Sequence, residues 1–257
     1  MVSNLLMTGQ YCLEDMSMHV NYKTLVAHAG LVALFLAGSA SAGSLNKSIN
    51  VDAGGTSTGE STVNGSIIIG SGAVITGSVE TVNGTIRVEQ NARVEDVETV
   101  NGSLKIGDGV QSEDLSSVNG SVLVGSYAIV EGEVAVVNGK IALDTGARVS
   151  RDVSNVNGEI RVTGAEIGGN LTTVNGDVSL QDQAVLRGDL TIEKPGGWSN
   201  NNNKRKPIIT IGPGSRVEGE IVIEQEVELY ISDTAEVGGV RGEMSLDDAV
   251  RFTGSRP

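Results

Sequence analysis

A chain of 257 residues with 35 glycines, one cysteine, 3% aromatic residues and a formal charge of −14 is a poor match for a conventional globular core or a nucleic-acid binder. Aromatic side chains are too scarce to fill a compact interior of this length, and the acidic balance disfavours phosphate backbones and anionic lipid. A single cysteine rules out a disulfide framework within the chain.

The N-terminal segment reads as an address. Residues 1–42 hold a weakly basic n-region around Lys23, an apolar h-region from Ala29 to Ala37, and Ala40-Ser41-Ala42 ahead of Gly43, the pattern of a cleavable export signal. The apolar run is too short to span a bilayer, so the mature chain is expected to have no integral membrane span. Residues 1–17 fit poorly, because Glu14 and Asp15 stand where positive charge belongs, which puts the expected translation start at Met16 or Met18. Cleavage near Ala42 removes Cys12, His19, His28, Lys23, Glu14 and Asp15, leaving 17 basic and 30 acidic residues, a net charge of −13. With no cysteine after the apolar run, lipid attachment at a new N-terminal cysteine is excluded. The expected location is periplasmic or extracellular.

Residues 43–193 are dominated by one repeat. Val-Asn-Gly recurs seven times, beginning at Val63, Val82, Val100, Val118, Val137, Val156 and Val174, in steps of 19, 18, 18, 19, 19 and 18 residues. A unit this short buries no core alone and must stack on its own copies. In the first full unit the inward candidates are Val63, Ile67, Ile69, Ala73, Ile75 and Val79. Pairs two residues apart place both side chains on one face of a strand, so each unit predicts three short strands joined by bends. The class is all-β, a parallel β-helix (β-solenoid) with about 18–19 residues per coil. The column under Ile67 continues as Ile86, Leu104, Val122, Ile141, Ile160 and Val178, and that under Ile69 as Val88, Ile106, Val124, Leu143, Val162 and Leu180. The mixed column between them, Ile68, Arg87, Lys105, Leu123, Ala142, Arg161 and Ser179, is expected outside.

Asn-Gly suits a corner, because glycine takes left-handed backbone without a steric penalty and asparagine tolerates it. A hairpin turn is rejected, since no alternating return strand follows. Stacked once per coil, Asn64, Asn83, Asn101, Asn119, Asn138, Asn157 and Asn175 are expected to form a structural amide ladder. Four of these sites read as glycosylation sequons by letters alone and are assigned no role. The row Thr62, Thr81, Thr99, Ser117, Val136, Asn155, Thr173 is placed at the bend, too irregular for an ice-binding face.

Residues 194–207 interrupt the pattern with loop composition. Trp198 lies there beside the basic cluster Lys204, Arg205 and Lys206, a candidate contact for a glycan, a lipid surface or a neighbouring subunit. The alternative folds Trp198 back over the solenoid flank and leaves the cations solvated. Residues 208–244 resume the rhythm with Ile209/Ile211, Ser215/Val217, Ile221/Ile223, Val227/Leu229 and Ala235/Val237. The whole stack should be roughly 45–50 Å long at ~4.8 Å per coil. Residues 245–257 form either a short helix closing the last coil, started by Ser245 with Asp247 and Asp248, or a disordered tail.

Chemistry is sparse. A mature chain without histidine lacks the general base of left-handed β-helix acyltransferases and offers no serine–histidine pair or His-based zinc site. The carboxylates Glu80, Glu98, Glu95, Asp96, Asp144 and Asp152 are scattered outward positions and read as solvated surface, as does the pair Glu131/Glu133. No catalytic, cofactor-binding or metal-binding residue is assigned, and no cofactor is expected.

Six-residue strands with small turns, as in Gly72-Ala-Val-Ile-Thr-Gly-Ser-Val79 and Gly214-Ser-Arg-Val-Glu-Gly-Glu-Ile221, resemble those of bactofilins, the polymer-forming β-helix proteins of bacteria. The resemblance covers roughly residues 60–240. It implies a right-handed β-helix that assembles end to end into nonpolar filaments without nucleotide, and it supplies no catalytic residue. Two expectations for function follow. The first is an exported structural scaffold of the bacterial envelope that pairs with itself through its terminal coils. The second is a monomeric binding module or adhesin for envelope or extracellular polysaccharide.

Overall fold

Periodicity in the sequence becomes stacking in space. The computed structural model describes residues 45–195 and 205–255, and within them the chain is a solenoid of parallel β-strands. An 11-stranded sheet forms the first face, from Ile49–Val51 through strands such as Ile67–Ile69, Leu104–Ile106 and Val122–Val124 to Val250–Phe252. At roughly 4.8 Å between neighbours that stack is roughly 48 Å long. The second face is built from two-residue strands such as Ile129–Val130 and Arg148–Val149, the third from longer ones such as Leu115–Asn119 and Val134–Asn138. These two faces merge into one 15-stranded sheet because Arg216–Ile223 runs straight through the bend between them, pairing Val185–Leu186 at its start and Leu190–Ile192 at its end.

Stacking begins one coil before the first Val-Asn-Gly, with Ile49 paired to Ile67 and Val51 to Ile69. Inside, Ile67, Ile69, Ile86, Leu104, Ile141 and Ile160 are fully buried in one aliphatic cluster that runs the length of the rod. Each such side chain contributes about 1.5–3 kcal/mol relative to exposure. The residue between each inward pair faces outward, as Ile68, Arg87, Lys105 and Leu123 do. The only buried aromatic among the described residues is Phe252, at the C-terminal end.

One column differs from expectation. Val63 and its equivalents through Val156 are half-buried on the outer side of the strand, while Thr62, Thr81, Thr99, Ser117, Val136, Asn155 and Thr173 point inward and are buried. Strand parity is the reason. In Val97–Asn101 the inward set is Val97 and Thr99, so Val100 falls on the opposite side. Hydropathy alone favours the valine, but a period of two from Val97 leaves it no inward place.

The interruption at 194–207 falls at the same corner as Val-Asn-Gly. Thr173 pairs with Ile192, and Ile192 with Ile223, so Glu193-Lys194-Pro195 and then Glu224-Gln225-Glu226 stand where Val174-Asn175-Gly176 stood. Beyond the interruption the first face resumes in register, Val178 with Ile209 and Leu180 with Ile211. At the C-terminus Asp248 accepts hydrogen bonds from the Ser245 backbone and hydroxyl, both at 2.8 Å, around a one-turn 3-10 helix, Leu246–Asp248. The chain then continues into Val250–Phe252, which extends the first face beside Glu228–Ser232.

Candidate functional site

The Val-Asn-Gly corner is the most regular polar feature of the molecule. Each asparagine donates its side-chain amide to the side-chain oxygen of the asparagine one coil earlier: Asn83 to Asn64 at 2.8 Å, Asn101 to Asn83, Asn119 to Asn101 and Asn138 to Asn119 at 3.0 Å, Asn157 to Asn138 at 2.8 Å, Asn175 to Asn157 at 3.0 Å. Asn64 in turn donates to Asn46 at 2.7 Å. Asn46 is a rung without the tripeptide, because Leu45 and Lys47 flank it. Its signal is spacing, 18 residues before Asn64.

Glycine is required here for a reason other than left-handed backbone. Of the seven corner glycines only Gly158 has positive φ, at 131°. What excludes a side chain is the coil below. A Cβ at Gly84, Gly102 or Gly120 would lie 1.9, 1.8 or 1.7 Å from the carbonyl oxygen of Gly65, Gly84 or Gly102 respectively. The same carbonyls accept the buried hydroxyls of the next coil: Thr81 to Gly65 at 3.0 Å, Thr99 to Gly84 at 3.2 Å and Ser117 to Gly102 at 3.1 Å. Asn155 replaces the hydroxyl with an amide donor to Gly139 at 2.9 Å. Thus asparagine links coils outside the corner, threonine links them inside, and glycine lets the backbones come close enough for both.

Trp198 and Lys204 lie outside the described residues. The other two cations of the proposed contact loop turn back onto the solenoid: Arg205 pairs with Asp177 at 2.8 Å and Lys206 with Glu226 at 2.9 Å. The hydrogen bond and charge of Glu226 raise the Lys206 pKa above its usual range, and Lys206 lowers that of Glu226. Asp177 also accepts from Ile208 N at 2.9 Å, so it holds the returning chain in place. Gln225, in the register position of the ladder, instead donates to the carbonyls of Val174 at 2.5 Å and Glu193 at 2.8 Å. Sequence reading missed this residue, since an isolated glutamine outside the repeat carries no motif.

The carboxylates considered for chemistry serve the backbone or remain dispersed. Asp152 accepts from Asn170 N at 2.7 Å and Asp96 from Asp114 N at 3.2 Å. Glu80 accepts from the Ser78 hydroxyl at 2.6 Å and stacks in register with Glu98, and Glu131 accepts from Ser150 at 3.3 Å. Among the described residues no three His, Cys, Asp or Glu side chains come together in a ligand-like group, and no helix is long and apolar enough to cross a membrane. Towards the C-terminal end a chain of ion pairs crosses the second face. Glu166 binds Arg148 at 2.7 Å and Arg187 at 2.6 Å, and Arg216 binds Glu236 at 2.8 Å. The hydrogen bond and charge of Glu166 raise the Arg187 pKa further. No family model matches the chain, and neither do curated proteins or solved structures.

Proposed function

We propose that this chain is an exported, non-catalytic structural protein, a β-solenoid scaffold that stacks on further copies of itself through its terminal coils in the bacterial envelope. The observation that carries this reading is where the core is left half-covered. The apolar residues that pack on the core without being buried are Ile49 and Val51 at one end, and Ala235, Val237, Val240, Met244 and Ala249 at the other. Between the ends the column is closed. The strands Ile49–Val51 and Val250–Phe252 are also the edges of the 11-stranded sheet, with backbone groups suited to pairing with another copy. The Ala40-Ser41-Ala42 pattern supports export, and the bactofilin-like turns support polymerisation.

Negative-stain micrographs of residues 43–257 across a concentration series test this. Filaments a few nanometres wide that shorten when Ile49→Glu is introduced are the expected result. Isolated rods at every concentration would sink the scaffold reading. They would favour the second, a monomeric polysaccharide-binding module, for which the exposed Ile68, Leu123 and Tyr127 are the surface observation.

A further inference from the structure

The seven Asn-Gly steps are also seven sites of one spontaneous reaction. The glycine backbone nitrogen attacks the asparagine side-chain carbon and forms the C–N bond of a succinimide. The Cγ–Nδ2 bond breaks, and ammonia leaves with the proton of the glycine amide. Water then adds to either ring carbonyl and opens the ring to aspartate or isoaspartate. Glycine favours the step because no side chain shields the nitrogen. A fold opposes it by holding the side-chain amide and the glycine N–H in hydrogen bonds that must first be broken.

The corner holds these groups unequally. Asn101, Asn119 and Asn138 each donate to one neighbour and accept from the other, and the following N–H of Gly102, Gly120 and Gly139 donates to the carbonyl of Asn119, Asn138 and Asn157 at 3.1, 3.0 and 2.9 Å. Asn64, Asn83 and Asn157 keep both ladder bonds, but among the described residues Gly65, Gly84 and Gly158 show no acceptor for their N–H. Asn175 is the last rung. Its amide donates to Asn157 at 3.0 Å, nothing among the described residues donates to its side-chain oxygen, and the Gly176 N–H has no acceptor there either.

The geometry points to Asn175 as the site of spontaneous deamidation, with conversion then passing to Asn157 and slowing at Asn138. Aspartate or isoaspartate at 175 has no N–H to give Asn157, which becomes the new last rung above an unheld Gly158 N–H. Asn138 is protected differently, because the Gly139 N–H is held by the residue-157 carbonyl, a bond that aspartate at 157 keeps and that only isoaspartate, which routes the chain through the side-chain carbon, disturbs. The ladder is thus a chemical shield that wears from its C-terminal end.

The test holds the full chain at mildly alkaline pH, takes timed samples, digests them and maps amide-to-acid conversion at each site by mass spectrometry. Asn175 should convert about tenfold or more faster than Asn119, as expected when additional hydrogen bonds must open first, with Asn157 next. In denaturant the same tripeptides should react at comparable rates. Folded-state conversion of Asn175 no faster than Asn119 would overturn the inference. Asn46→Ala supplies a second arm, because it strips Asn64 of its acceptor. Asn64 conversion should accelerate in that variant while Asn175 keeps its rate; an unchanged Asn64 rate would show that ladder bonds do not protect, and would equally overturn it.

Discussion

The coils before the interruption and those after it share one core and differ at one corner. In residues 45–193 the corner is an uncharged lattice of amide rungs, buried hydroxyls and glycines set against carbonyls. From residue 205 onward the inward columns continue unchanged, Ile209 on Val178 and Leu229 on Ile209, but the lattice is gone. Its place is taken by Gln225 and by the Lys206–Glu226 ion pair. Aliphatic columns at the right spacing therefore suffice to wind the solenoid, and the corner can be built in more than one way.

Glycine substitutions should break the comparison most sharply. Gly120→Ala places a Cβ 1.7 Å from the Gly102 carbonyl oxygen, whereas the nearest atom to a Cβ at Gly239 is 3.8 Å away. The first change should cost roughly 3 kcal/mol or more, since coil spacing is fixed by hydrogen bonds above and below and cannot relax at one rung. The second should stay within about 0.5 kcal/mol. Denaturant titration of both variants measures the difference, and equal losses would refute the close-approach argument.

Next come the polar links. Asn119→Ala removes two rungs, and Gln225→Ala removes two bonds to backbone carbonyls. Each should lower stability by about 1–2 kcal/mol. Hydrogen exchange should localise the first loss to the middle coils and the second to the coils on either side of the interruption.

Acid should act on the C-terminal coils. Glu226 titrates below its usual value because of Lys206, and Asp248 because of the Ser245 backbone and hydroxyl. A carboxylate with a depressed folded pKa contributes stability above its ordinary pKa and loses it as pH falls through the folded value. Faster hydrogen exchange in Glu228–Ser232 and Val250–Phe252 below about pH 4, ahead of Leu115–Asn119, is the expected result. Both groups are exposed, so the effect is small. Salt should have the smallest effect: screening the solvent-exposed Arg148–Glu166–Arg187 pairs should lower stability only slightly, while the uncharged corner around Asn119 should not respond.

The coil length, the inward columns and the amide ladder were legible in the order of residues because each rests on strict repetition: a spacing of 18 or 19 residues leaves stacked aliphatic side chains only one way to be buried. Asn46 and Gln225 were not, because each acts in the ladder's register without the tripeptide around it. Nor was the inward turn of the threonine row, which depends on strand parity carried from Val97 across a three-residue step, and there parity overrides hydropathy. The true duty of the corner glycine was hidden for the same reason. A tripeptide shows that glycine is present, but the carbonyl 1.7 Å from where its side chain would begin belongs to a residue 18 positions earlier, and only the stacking of one coil on the next brings the two together.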